Sequence, residues 1–82
     1  MPIEHHKSIG SNIRKWRTVK GIKQVTLANE IGISKGTLSK IENDKAAISI
    51  QKLQKIAIVL NTRLSLLLTD PSDILRSVTD KI

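Results

Sequence analysis

Between Ser34 and Lys40 the chain reads SKGTLSK, a run whose polar groups could read the edge of a base pair. A lysine ammonium donates to guanine O6 and N7, and a threonine offers a methyl to thymine or a hydroxyl to phosphate. If the run is helical, Leu38 and Ile41 face inward and leave Lys35, Gly36, Thr37, Ser39 and Lys40 on the outer side. Lys35 then occupies the first helical position, where a cation opposes the helix dipole by about 0.3–1 kcal/mol. A guanine edge or a phosphate would compensate it. Glycine costs about 0.8–1.0 kcal/mol against alanine in a helix interior and less in a first turn. Gly36 therefore marks either a close approach of backbone to a base pair or a tolerant position. Gln24 opens the preceding helix, where its side chain and the exposed amides can hold a phosphate.

These groups need a frame to present them. From Gln24, the apolar positions Leu27, Ala28 and Ile31 form one stripe of a two-turn helix. Gly32 ends it, because glycine takes the left-handed backbone of a C-terminal cap. Ser34 is a suitable N-cap for the next helix. Two short helices crossed over so tight a turn describe a helix-turn-helix, a shape that fits the major groove. A first helix is expected over residues 7–20, with Ile9, Ile13, Trp16 and Arg17 on one face and Gly21 closing it. Ser49 should cap a fourth helix through Leu53, Ile56, Ala57 and Leu60, ending at Asn61. Leu60, Leu64, Leu67 and Leu68 fit a fifth short helix, while Leu64, Leu66 and Leu68 equally fit a strand; helix is the expectation. Asp70 and Pro71 open a last piece carrying Ile74, Leu75, Val78 and Ile82 on one side. At about ten residues, that piece must dock on something or fray. The expected organisation is a flexible tail over residues 1–6, a domain over 7–69 and a helical extension over 70–82.

Eighty-two residues, 39% of them apolar, allow a single modest core. No cysteine is present, which removes disulfides and thiolate metal sites. No apolar run approaches a membrane span, and MPIEHHKSIG has no hydrophobic region of signal-peptide type, so a cytoplasmic protein is expected. Charge is localised. Residues 7–63 hold twelve Lys/Arg against Glu30, Glu42 and Asp44, whereas residues 64–82 hold two against three acids. A polyanion is the economical partner for the basic body, with nucleic acid ahead of an acidic membrane. Trp16 is the lone aromatic and sits at a core position, so stacking on single strands is a poor account of the charge. His5 and His6 have no cysteine or acid cluster beside them, and neither a metal nor a cofactor is expected.

Over residues 9–67 the chain resembles the Cro/repressor (Xre-type) helix-turn-helix domain. The likeness rests on IRKWR, KQVTLANEIGIS, TLSKIEN and LQKIAIVLN. It implies an all-α, five-helix domain that binds a palindromic operator in double-stranded DNA as a homodimer. It implies base contacts from Ser34, Lys35, Gly36, Thr37, Ser39 and Lys40, and phosphate contacts from Gln24, Asn43 and Lys45. Asn12, Lys15 and Lys20 are further phosphate candidates. Arg17 and Glu42 resemble the family's partly buried ion pair, which fixes the angle of the reading helix. Three departures are visible: Lys23 stands where a hydroxyl usually caps the second helix, Asp44 where glycine is usual, and Ile48 where proline is usual.

Ile58, Leu66 and Leu68 could cluster with Ile74, Leu75 and Val78 as a twofold interface, or as a docking site for the last helix of the same chain. Two readings of function follow. One is a transcriptional repressor or controller. The other is an antitoxin or adaptor that chiefly binds a protein such as a toxin, with DNA binding secondary. An enzyme is excluded for want of a paired acid, an activated nucleophile or a phosphate loop.

Overall fold

The computed structural model describes residues 9–68. The tail expected over 1–6 and the extension over 70–82 lie outside them. The described chain is all-helical. In order come α1 (Ile9–Val19), α2 (Gln24–Ile31), α3 (Lys35–Glu42), α4 (Ile50–Val59) and a 3₁₀ helix (Leu64–Leu68).

Local chemistry sets most of the boundaries. Gly21 (φ 71°) and Gly32 (φ 77°) both adopt the left-handed backbone after α1 and α2. The Gly32 amide turns back to the carbonyls of α2, donating to Asn29 O at 3.2 Å. At the start of α3, Ser34 Oγ accepts from the Thr37 amide, and Ser49 Oγ does the same for Lys52 at the start of α4. Lys23 holds the N-cap position of α2 with the same extended backbone but supplies no side-chain bond. Asn61 takes φ 53° after α4.

One core unites these elements. Ile13 of α1, Leu27 and Ile31 of α2, Leu38 of α3, Ile56 of α4 and Leu67 of the 3₁₀ helix are all buried. Trp16 packs against that core and donates its indole N–H to the Leu66 carbonyl at 2.9 Å, joining α1 to the last described element. Aromatic burial and polar satisfaction are thereby met by one side chain.

The leucines expected to form a fifth short helix form this five-residue 3₁₀ helix and not a strand, so the described residues hold four α-helices where five full helices were expected. Leu64 and Leu67, three apart, both turn to the core. Side chains at i and i+3 line up in a 3₁₀ helix, and short runs tolerate its poorer hydrogen bonds.

Candidate nucleic-acid interface

α3 exposes a face one helix wide. Ser34, Lys35, Gly36, Thr37 and Lys40 are exposed and Ser39 is half-buried, while Leu38 and Ile41 anchor the opposite side in the core. Ser34 Oγ also donates to Thr37 Oγ1 at 2.9 Å, so two of the polar groups on this face are held in register. A Cβ added at Gly36 would meet nothing nearer than Ser34 Oγ at 3.9 Å. The packing of the chain therefore places no demand for glycine there.

The C-terminal end of α3 is pinned. Glu42 is buried, its side chain only 1% exposed, and its carboxylate accepts three hydrogen bonds. Arg17 of α1 donates from Nε to Oε2 at 2.8 Å and from Nη2 to Oε1 at 3.1 Å. Gln24 of α2 donates from Nε2 to Oε1 at 2.9 Å. Arg17 Nη1 further donates to the Ile22 carbonyl at 2.9 Å, in the link between α1 and α2. Planar guanidinium and carboxylate meet as a two-pronged pair, the geometry that makes arginine the better partner than lysine. A charge buried this deeply is tolerable because its oxygens are satisfied. Three elements thus share one carboxylate, and the inclination of α3 is tied to α1 and α2 together.

The remaining candidates separate. Asn43 is exposed just past α3, with Nδ2 donating to the Ser39 carbonyl at 2.8 Å; Lys45 is exposed in the same loop. Gln24 is half-buried at the first position of α2, one amide N–H committed to Glu42. Lys15 is exposed on α1. Lys20 lines a cleft with Trp16, Asn61, Thr62, Arg63 and Leu66, beside the ends of α1 and α4 and not beside α3. Asn12 requires correction: it is 0% exposed and offers no surface to a phosphate. It belongs to a helix that packs against both α3 and the 3₁₀ helix. Its Oδ1 and Nδ2 find no hydrogen-bond partner among the described residues. Of the apolar candidates, Ile58 is 77% exposed and Leu66 half-buried; Leu68 closes the 3₁₀ helix, and Ile74, Leu75 and Val78 lie outside the described residues.

Fold and site together define a helix-turn-helix protein in which α3 is anchored through a buried ion pair. A helix-turn-helix family model matches residues 13–67, and the chain belongs to that family, the Xre/Cro type of DNA-binding transcriptional regulators. The ImmF control region 10 kDa protein of Bacillus phage phi105 is 38% identical over 61 residues, 74% of this chain and 68% of that protein. An uncharacterised helix-turn-helix transcriptional regulator of Sinorhizobium medicae is 34% identical over 73 residues, and the match spans 88% of this chain but only 51% of that longer protein. Among solved structures, the biofilm regulator SinR in complex with DNA matches with a TM-score of 0.67 at 37% identity, over 74% of this chain and 98% of that one. SinR in complex with SinI matches with a TM-score of 0.70 at 35% identity, over 89% and 72% respectively. No helix among the described residues is long and apolar enough to cross a membrane.

Proposed function

We propose that this chain is a sequence-specific regulator that binds a palindromic operator in double-stranded DNA as a homodimer and acts as a repressor or controller of transcription. The observation that carries this reading is the exposed face of α3, with Lys35, Thr37 and Lys40 free of the core while Glu42 locks the helix to α1 and α2. Ser34, Gly36 and Ser39 complete the base-reading face. Gln24, Asn43 and Lys45 flank it as phosphate contacts, with Lys15 and Lys20 as outlying charges. The likeness to SinR, solved in complex with DNA, supports DNA binding by this chain. Phosphate contacts position the domain and base contacts select the sequence. One reading helix contacts few base pairs, so two related by a twofold axis, about 34–36 Å apart, supply specificity. In this reading Ile58, Leu66 and Leu68 join Ile74, Leu75 and Val78 of the 70–82 extension at the interface, and the protein works in the cytoplasm.

Fluorescence anisotropy tests it. The protein is titrated onto a duplex from upstream of its own gene and onto a scrambled duplex of equal length, at about 150 mM salt. A preference of about a thousandfold or more is expected. The logarithm of affinity should fall against the logarithm of salt with a slope of about 0.9 per phosphate neutralised. Equal weak binding to both duplexes overturns the reading.

Exposed Ile58 favours one second reading, an antitoxin or adaptor whose main contact is another protein. The SinR–SinI complex gives a relative with a protein partner. A toxin gene adjacent to this one would favour that reading.

A further inference from the structure

Gly36 is a glycine that the fold leaves optional, whereas Gly10 is one that it requires. Gly10 is buried in the first turn of α1, directly against the C-terminal end of α3. A Cβ at Gly10 would overlap the Ile41 carbonyl oxygen, stand 2.8 Å from Asp44 Oδ1 and 3.1 Å from the Glu42 carbonyl carbon. Two of these three neighbours are backbone atoms, so no rotamer change can relieve the overlap. The backbones of α1 and α3 would have to separate. Helices usually pack with axes 8–10 Å apart, a spacing set by side chains at the contact, and glycine permits a closer one.

We propose that Gly10 is a positioning residue for α3. By admitting the Ile41–Glu42 backbone against α1, it sets the inclination at which Lys35, Thr37 and Lys40 are presented, in concert with the Arg17–Glu42–Gln24 bonds. Asp44 completes the joint. Its backbone takes the left-handed conformation (φ 61°) and its carboxylate lies against the first turn of α1, the positive end of that helix. The aspartate, standing where the resemblance leads one to expect glycine, thus places its carboxylate at the start of α1. An eight-residue helix is about 12 Å long and moves as a rigid rod, so a displacement at its end turns the whole reading face. The consequence is specific: base readout depends on Gly10, while attraction of the exposed lysines to phosphates does not. This inference rests on the DNA-binding reading for its functional arm only.

The test uses the full chain carrying Gly10→Ala, with Ile56→Val as a control that loosens the shared core from α4 and leaves the Gly10 contact intact. Amide chemical shifts are recorded first, then affinities for the upstream and scrambled duplexes. Gly10→Ala should shift the amides of residues 35–42 and lower affinity for the upstream duplex by about fivefold or more, the loss of one good base contact. Affinity for scrambled DNA and the salt slope should stay at the wild-type values, and Ile56→Val should keep the wild-type preference. Unmoved α3 amides, or equal losses on both duplexes, overturn the proposal. If the wild-type chain itself shows no preference, the DNA-binding reading fails and the amide shifts alone decide the role of Gly10. Should Gly10→Ala fold poorly, Asp44→Gly carries the test, because it keeps the backbone contacts of Gly10 and removes the carboxylate side of the joint. It should shift the amides of residues 35–42 and lower the preference for the upstream duplex. Unmoved amides or an unchanged preference overturn the proposal.

Discussion

At the scale of single residues, the proposed interface divides into groups expected to select and groups expected to hold. Lys35 and Lys40 lie on the exposed face of α3, whereas Lys45 lies in the loop beyond it. Lys35→Ala or Lys40→Ala should therefore narrow the gap between operator and random DNA. Lys45→Ala should weaken both alike and reduce the salt slope by about 1. Anisotropy over a salt series separates these outcomes, and uniform losses from all three would sink the assignment of α3 as reader. Asn12 gives a prediction on stability alone. An amide buried without a partner forfeits about 1–3 kcal/mol of desolvation free energy. Leucine has the same branching as asparagine and no polar atoms, so Asn12→Leu should raise the urea midpoint by about 1 kcal/mol in stability, with DNA affinity unchanged. A lower midpoint would mean that the site holds a bound water or resists the extra volume.

At the scale of helices, the caps determine where each element begins, and α2 begins without one. Lys23 and Ser34 share nearly the same backbone, φ −73°, ψ 149° and φ −77°, ψ 156°, yet only Ser34 accepts a bond from the helix it precedes. Lys23→Ser should supply the missing acceptor and stabilise the domain by about 1 kcal/mol, read as a higher midpoint in thermal melting. The contrast also separates the legible from the illegible. Helices α2 and α3 could be read from Gly32, Ser34 and the spacing of Leu27, Ile31, Leu38 and Ile41, because caps and periodicity are local. The 3₁₀ helix could not. Its leucines satisfy an α-helical pattern equally well, and its conformation answers to Trp16, which lies 50 residues earlier and holds the Leu66 carbonyl.

For the whole molecule, the question is what a second copy would use. Ile58 projects from α4 while Leu53 and Ile56 on the same helix are buried. Ile58→Asp should shift sedimentation from dimer to monomer and lower operator affinity, with helical circular dichroism unchanged, since no core contact is lost. An unaltered sedimentation profile would remove Ile58 from the interface and favour its use by a different partner. The charge follows a similar logic. Twelve Lys/Arg between residues 7 and 63 predict an attraction to polyanions whatever their arrangement, but their arrangement decides what each does. Lys20 belongs to a cleft beside α4, while Lys35 and Lys40 stand on the exposed side of α3.

The chain by itself determined those features that depend on neighbours within a turn or two: four helices, their glycine and serine caps, the inward stripes of α2, α3 and α4, and the outward placing of Lys35, Thr37 and Lys40. Only the tertiary structure decided the rest. It buried Asn12, added Gln24 to the Arg17–Glu42 pair that the resemblance implied, and made Gly10 obligatory by placing the Ile41 carbonyl where its Cβ would be. The physical reason is common to all three. Each depends on other elements of the fold, the bonds of Glu42 and the contacts of Gly10 on atoms 18 to 34 positions away along the chain, and periodicity within one helix carries no record of how closely another helix will pack against it.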